Sequence, residues 1–140
     1  CLGDRKGAAV CHRRGDNVTL ITYGTILENV MEAAEILAQL GIQATVLRLQ
    51  TVAPLNMEYI AQNLSAKHHV VVVEEIAAGS GIRQELAWNL RQILPECKVD
   101  GIDLGCRFVT HGDMNSLYRH YGLDAKSIAD FTMEVLEREN

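Results

Sequence analysis

The sequence predicts an α/β domain with three layers, in which helices cover both faces of a mostly parallel sheet of about five strands. Four consecutive valines at positions 70–73 show no alternation of apolar and polar residues, so both faces of their strand should be buried. Elsewhere, segments rich in β-branched residues alternate with segments whose apolar residues recur every three or four positions. This alternation is typical of parallel strands joined by crossover helices.

The first β-α-β unit lies in the first half of the chain. Residues 18–23 are rich in β-branched and aromatic side chains and end at Gly24, which predicts a strand. Residues 26–40 place apolar side chains at helical spacing with glutamates on the opposite face, and Gly41 should end this helix. Residues 43–49 are the next predicted strand.

A second unit runs from Pro54 to the valine strand. Pro54 breaks the preceding pattern, and a short helix is expected at residues 57–64. After the valines, a helix that begins near Ser80 should stop before Pro95. A short, less regular strand follows at residues 98–104.

The last quarter of the chain predicts helical structure. Residues 115–121 can form one or two helical turns. Asp124 is a candidate N-cap for a final helix through Leu136, because its side chain can accept a hydrogen bond from a backbone N–H of the first turn. Ile128, Val135 and Leu136 should face inward.

Composition limits the classes of function. A chain of 140 residues with 48% hydrophobic residues can build the core of one domain, and a net charge of −5 argues against a nucleic-acid partner. No apolar run approaches the roughly 20 residues needed to span a bilayer, so we expect neither a membrane span nor a signal peptide. The four cysteines lack close spacing, which predicts reduced thiols in a cytoplasmic protein.

The beginning of the chain differs from the remainder. Residues 1–15 are polar, contain glycine and show no periodicity, which predicts an interdomain connector before a domain at residues 16–140. The first residue is Cys1 rather than Met, which suggests a piece of a longer polypeptide; processing or removal of a tag could produce the same start.

Polar groups follow the valine strand, where open α/β sheets usually carry functional loops. Gly79 and Gly81 match half of a dinucleotide-binding fingerprint, but Gln84 stands where a third small residue is needed, so a tight turn is the favoured interpretation. Glu74 and Glu75 are adjacent on a strand and should point to opposite faces, which is awkward for an acid and base pair. One is expected to face a domain interface and the other to cap or pair locally.

The histidines give no metal-binding signal, because no spacing resembles a known ligand pattern. His111 lies in a loop after an apolar pair and is a candidate for a ligand or subunit contact, although a solvent-facing loop histidine is the favoured interpretation. The residues alone therefore predict an α/β domain without a self-sufficient catalytic set.

Four segments carry a family resemblance. Residues 13–25, 44–56, 70–75 with 79–81, and 101–112 resemble the C-terminal domain of transketolase-type enzymes, and the resemblance spans nearly the whole chain. The tail at residues 108–129, FVTHGDMNSLYRHYGLDAKSIA, is most similar to the 1-deoxy-D-xylulose-5-phosphate synthase branch of that family.

The resemblance implies a dimeric, three-domain parent that uses thiamine diphosphate and Mg²⁺ to condense pyruvate with glyceraldehyde 3-phosphate. In such enzymes the first and middle domains form the cofactor site, so the resemblance assigns no catalytic, cofactor-binding or metal-binding residue to this chain. It implies an architectural role, with the upstream domains of the same enzyme as partners. The candidates for those interface contacts are Glu75, Gly79, Gly81 and His111.

Two alternatives remain open from the sequence. The chain could be the C-terminal domain or split subunit of a transketolase or of a 2-oxoacid dehydrogenase E1 beta. It could also be a free-standing regulatory module that binds a small ligand at the glycine turn after the valine strand.

Overall fold

A computed structural model of the chain describes residues 9–50, 57–64, 69–74, 82–102 and 124–138. Strands and helices alternate along most of this length, with a single 3-10 turn, Gly24–Ile26, before the first helix. In chain order the elements are β1 (Ala9–Arg13), β2 (Val18–Thr22), α1 (Leu27–Gln39), β3 (Ala44–Leu49), α2 (Met57–Gln62), β4 (His69–Val73), α3 (Arg83–Ile93), β5 (Lys98–Ile102) and α4 (Ala125–Arg138).

The strands form one sheet in the order β1-β3-β2-β4-β5. The pairs β2 with β3, β2 with β4, and β4 with β5 are parallel, and β1 pairs with β3 in the antiparallel direction. The predicted mostly parallel sheet of about five strands is therefore confirmed. The valine strand β4 has a neighbour on each side, as its unbroken apolar run requires.

Helices cover both faces of the sheet, which confirms the three layers. Val70 and Val72 point into the core beneath α2 and α3, whereas Val71 and Val73 point into the core beneath α1 and α4. All four valines are fully buried. Burying each such side chain stabilises the fold by about 1.5–3 kcal/mol, so this one strand holds both helical layers to the sheet.

Two predicted helix ends have the expected chemistry. After α1, the N–H of Gly41 donates to Ala38 O at 3.0 Å and that of Ile42 donates to Leu37 O at 2.9 Å. This pattern needs a residue with positive φ at the first position past the cap, and Gly41 has φ 85°. Before α4, the carboxylate of Asp124 accepts from the N–H of Ser127 at 3.4 Å, which confirms Asp124 as the N-cap.

The structure differs from the sequence interpretation at residues 9–13. These residues were expected to belong to a connector without regular structure, but they form β1 at the edge of the sheet. The strand was hard to recognise because it is short, carries exposed His12, and pairs with a register shift between Cys11 and Arg13. Its pattern of side chains therefore lacks the regular alternation of a half-buried strand.

Smaller differences concern single boundaries and the thiols. Helix α3 begins at Arg83, later than the predicted start near Ser80, and the predicted helical turns at residues 115–121 lie outside the described residues. Cys97 is a free, buried thiol, as expected, but Cys11 is disulfide-bonded, so the prediction of reduced thiols is wrong for Cys11. Across the described ranges, the helices are too short or too polar to cross a bilayer.

Candidate functional site at the carboxyl ends of β2 and β4

The order of the strands places a divergence point between β2 and β4. The chain leaves β2 through α1 toward β3 on one side, and leaves β4 through α3 toward β5 on the other side. In open parallel sheets, the crevice between two such strands, beyond their carboxyl ends, is the usual place for a functional site. The side chains at these two strand ends therefore define the candidate site.

Glu74 follows β4 at this point and is only 2% exposed. Its Oε2 atom accepts a hydrogen bond from the Tyr23 hydroxyl at 2.7 Å and another from the backbone N–H of Ile82 at 2.9 Å. Its backbone N–H donates to Ile102 O at 2.9 Å. One buried residue thus joins the ends of β2, β4 and β5 to the beginning of α3.

The surroundings of the carboxylate explain how it tolerates burial. A buried charge is costly unless hydrogen-bond donors replace the lost water, and the Tyr23 hydroxyl and the Ile82 N–H are two such donors. The carboxylate also lies at the beginning of α3, where the helix dipole favours negative charge. Ile82 itself is 7% exposed, so water has little access from that side.

A second side-chain contact ties the same two strands together. The Thr22 hydroxyl, which is fully buried, donates to Val73 O at 3.0 Å. Thr22 and Val73 are also register partners in the parallel β2–β4 ladder. The Thr22 hydroxyl and the Glu74 carboxylate therefore both link the carboxyl ends of β2 and β4. The Oε2 atom of Glu74 already accepts hydrogen bonds from two donors. This arrangement suits a structural junction better than a general acid or base.

Of the two carboxylates named from the sequence, the structure describes Glu74. Glu74 is the member of the pair that caps and pairs locally, as expected for one of the two. The interface candidates Glu75, Gly79, Gly81 and His111 all lie outside the described residues. Their assignment to an interface stays a prediction.

Sequence reasoning missed both partners of Glu74. Tyr23 is 51 positions away from Glu74, and nothing in the local pattern marks Tyr23 as its donor. The only signal was its place at the end of a predicted strand, and the structure alone shows that this strand lies beside the valine strand. Ile82 contributes a backbone atom, which no side-chain motif can reveal.

The described residues do not fit thiamine diphosphate with its metal ion. Over the ranges that the structure describes, His, Cys, Asp and Glu side chains form no group of three or more that could hold a metal ion. The buried carboxylate nearest the crevice is engaged by Tyr23 and Ile82. No catalytic step through that cofactor is therefore derived for these residues.

Comparison with known proteins gives a consistent picture. The family model described as "Transketolase, C-terminal domain" matches residues 7–128. The chain is 33% identical over 122 residues to 1-deoxy-D-xylulose-5-phosphate synthase of Chlorobaculum tepidum, and this match covers 87% of this chain and 19% of that protein. It is 43% identical over 81 residues to the mitochondrial pyruvate dehydrogenase E1 component subunit beta of Dictyostelium discoideum, and this match covers 58% of this chain and 23% of that protein.

Solved structures agree on the fold. A chain described as "Split gene transketolase, inactive beta4 tetramer" superimposes with a TM-score of 0.80 at 23% identity, covering 97% of this chain and 43% of that one. Transketolase from Campylobacter jejuni superimposes with a TM-score of 0.65 at 19% identity, covering 94% of this chain and 19% of that one. Measured against the Chlorobaculum synthase, the chain spans about a fifth of the relative's length.

Proposed function

We propose, from the premise that this chain belongs to the transketolase C-terminal domain family, that it serves as the non-catalytic C-terminal domain of a 1-deoxy-D-xylulose-5-phosphate synthase. The parent enzyme condenses pyruvate with glyceraldehyde 3-phosphate for isoprenoid precursor synthesis. It is a cytoplasmic homodimer that uses thiamine diphosphate and Mg²⁺ held by its other domains. The role of this chain is to pack on those domains and support the dimer.

The state of Glu74 is the observation that carries the non-catalytic role. At the sheet's usual site for function, the one buried carboxylate among the described residues is 2% exposed, and its Oε2 atom accepts hydrogen bonds from Tyr23 and from the beginning of α3. A catalytic acid or base must instead keep an atom within reach of a substrate. The identity of 33% over 87% of the chain supports the synthase as parent.

A domain replacement tests this proposal. The C-terminal region of the Chlorobaculum tepidum synthase that corresponds to this chain is replaced by residues 7–140, so that α4 is complete, and formation of 1-deoxy-D-xylulose 5-phosphate is assayed. We expect the chimera to be active, whereas the same enzyme without a C-terminal domain and the 140-residue chain alone should be inactive. A folded chimera without activity, or turnover of pyruvate by the isolated chain, would overturn the proposal.

One observation supports a second candidate for the parent enzyme. The identity to the Dictyostelium E1 beta subunit is higher, 43%, although it extends over only 58% of the chain. The same replacement made in that E1 beta subunit discriminates between the two. Activity in the E1 beta chimera together with an inactive synthase chimera would assign the chain to the dehydrogenase.

A further inference from the structure

An exposed aromatic residue marks the outward side of α3. Trp88 is the single tryptophan of the chain and is 68% exposed. It lies two positions from Leu86 and two positions from Leu90, both fully buried in the core between α3 and the sheet. Two positions on a helix turn the direction by about 200°, so Trp88 points directly away from the core.

Polar residues surround Trp88 on this side of the helix. Gln84 and Gln92 lie one turn before and after it, and Glu85 and Arg91 lie three positions to either side; all four are exposed. These five residues are called the Trp88 face. A large aromatic anchor within a polar rim is the anatomy of a protein interface, in which tryptophan is the residue most enriched among those that carry the binding energy.

We infer that the Trp88 face docks against the upstream portion of the same enzyme. This inference rests on the proposed function, because the matched synthase is about five times as long as its matched region and the remainder of that length needs a surface to pack on. Interfaces between domains of one chain are of moderate size and more polar than obligate ones, which suits a face with one apolar anchor.

The small size of the apolar anchor argues against a second copy of this chain as the occupant. One tryptophan contributes about 150–250 Å² of contact area, whereas a stable complex buries about 800 Å² on each partner. A covalently connected domain is held at an effective concentration near the millimolar range, so a small anchor is sufficient there.

The junction at Glu74 holds this face in a fixed direction. The Glu74 carboxylate binds the N–H of Ile82 at 2.9 Å, and Ile82 O accepts from the N–H of Leu86 at 2.8 Å in the first turn of α3. The first turn of α3 is therefore hydrogen-bonded to the end of β4, and this contact fixes the direction in which Trp88 points from the helix. A partner meets a pre-organised surface, which lowers the entropic cost of docking.

The single tryptophan provides a direct probe of docking. The 140-residue chain is labelled with 5-fluorotryptophan, which gives one fluorine resonance, and is mixed with the unlabelled upstream portion of the Chlorobaculum tepidum synthase. Association is followed by sedimentation velocity in parallel. We expect the two pieces to associate and the resonance to shift on binding. A resonance that shifts with the concentration of the labelled chain alone would assign the face to self-association and overturn the inference.

Two matched variants complete the test. Trp88→Glu should weaken the association at least tenfold, and Trp88→Phe should weaken it less. Leu40→Glu is the control, because Leu40 is 57% exposed at the end of α1 in the opposite helical layer, and it should change the Kd less than twofold. Circular dichroism checks that each variant is folded.

The outcomes separate the inference from the proposed function. If the wild-type chain binds, but its resonance does not move and Trp88→Glu binds equally well, the docking surface is elsewhere while the proposed function stands. If the wild-type chain does not bind at all, the inference is overturned, whereas the proposed function is decided separately by the activity of the domain replacement.

Discussion

The hydroxyl of Tyr23 lies 2.7 Å from Oε2 of Glu74, so a side-chain hydrogen bond joins the ends of β2 and β4 in addition to the backbone ladder between them. Hydrogen bonds to a charged group contribute more than neutral ones, because the charge is desolvated on burial and needs its donors. The pair therefore acts as one unit in stability, and its two members should not be energetically independent.

Tyr23→Phe should lower the free energy of unfolding by about 1.5 kcal/mol, the lower end of the range for a hydrogen bond to a charged group, since Tyr23 is only half-buried. Glu74→Gln should also cost about 1–3 kcal/mol, because a neutral amide is a weaker acceptor at the beginning of α3. Urea denaturation of both variants and the double variant measures the coupling. Costs that add to within about 0.3 kcal/mol would show that the two residues are independent.

Gly15→Ala should destabilise the fold by about 3 kcal/mol, at the upper end of what overpacking usually costs. A Cβ at Gly15 would stand 2.4 Å from the carbonyl carbon of Gln43 and 2.5 Å from the nitrogen of Ala44, and backbone atoms cannot move aside cheaply. Gly24→Ala is the control, because its Cβ meets nothing within 4 Å. Its φ of 80° should cost about 1–2 kcal/mol, so equal losses in thermal or urea unfolding would contradict the steric argument.

Cys97 should make stability depend on alkaline pH. Burial raises the pKa of the Cys97 thiol above its ordinary value of 9.0, and the positive charge of Arg91 partly opposes this. The folded state holds the proton more tightly than the unfolded state, so this stabilisation is fully present below pH 9 and is lost as the pH rises through the folded pKa. The stability advantage of wild type over Cys97→Ala should therefore shrink between pH 8 and pH 10.5, values chosen to bracket the ordinary pKa.

Arg91→Gln is the companion variant for this measurement. Removing the positive charge should raise the pKa of Cys97 in the folded state further. The advantage of Arg91→Gln over the double variant Arg91→Gln/Cys97→Ala should therefore begin to decline at the same pH as in wild type, but the decline should be larger and should continue to higher pH. An advantage over Cys97→Ala that stays constant across the pH range would rule out titration of this thiol as the cause.

Leu86→Ala should cost about 2–5 kcal/mol, because the side chain is fully buried between α3 and the sheet and its removal leaves a cavity. Ile93→Ala on the same helix is the control: Ile93 is 49% exposed and should lose less than about 0.5 kcal/mol. Similar losses for the two variants in chemical denaturation would mean that α3 does not pack as described.

The elements that sequence reasoning predicted correctly are those specified by local chemistry. The run of valines at positions 70–73 requires a strand buried on both faces, Gly41 supplies the positive φ that ends α1, and Asp124 supplies a cap for α4. Each of these signals is contained within a few neighbouring residues, so no knowledge of the sheet is needed.

The features that were missed depend on strand order. The contact between Tyr23 and Glu74 exists only because β2 and β4 are neighbours in parallel register, which no local pattern reveals. The edge strand β1 is likewise recognisable only from its partner β3, since its own side chains are mixed in character. The predicted interface residues Glu75, Gly79, Gly81 and His111 lie outside the described part, so their roles stay predictions.

The antiparallel strand β1 has a practical consequence for work with this domain. Its residues 9–13 cover the outer hydrogen-bonding edge of β3, whose Leu47 and Leu49 are buried. A recombinant protein that starts at residue 16 would lack β1. The backbone N–H and C=O groups along the outer edge of β3 would then be unpaired and exposed, which favours edge-to-edge aggregation with other molecules. Preparations that retain residue 9 onward should stay monodisperse under conditions in which the shorter version precipitates.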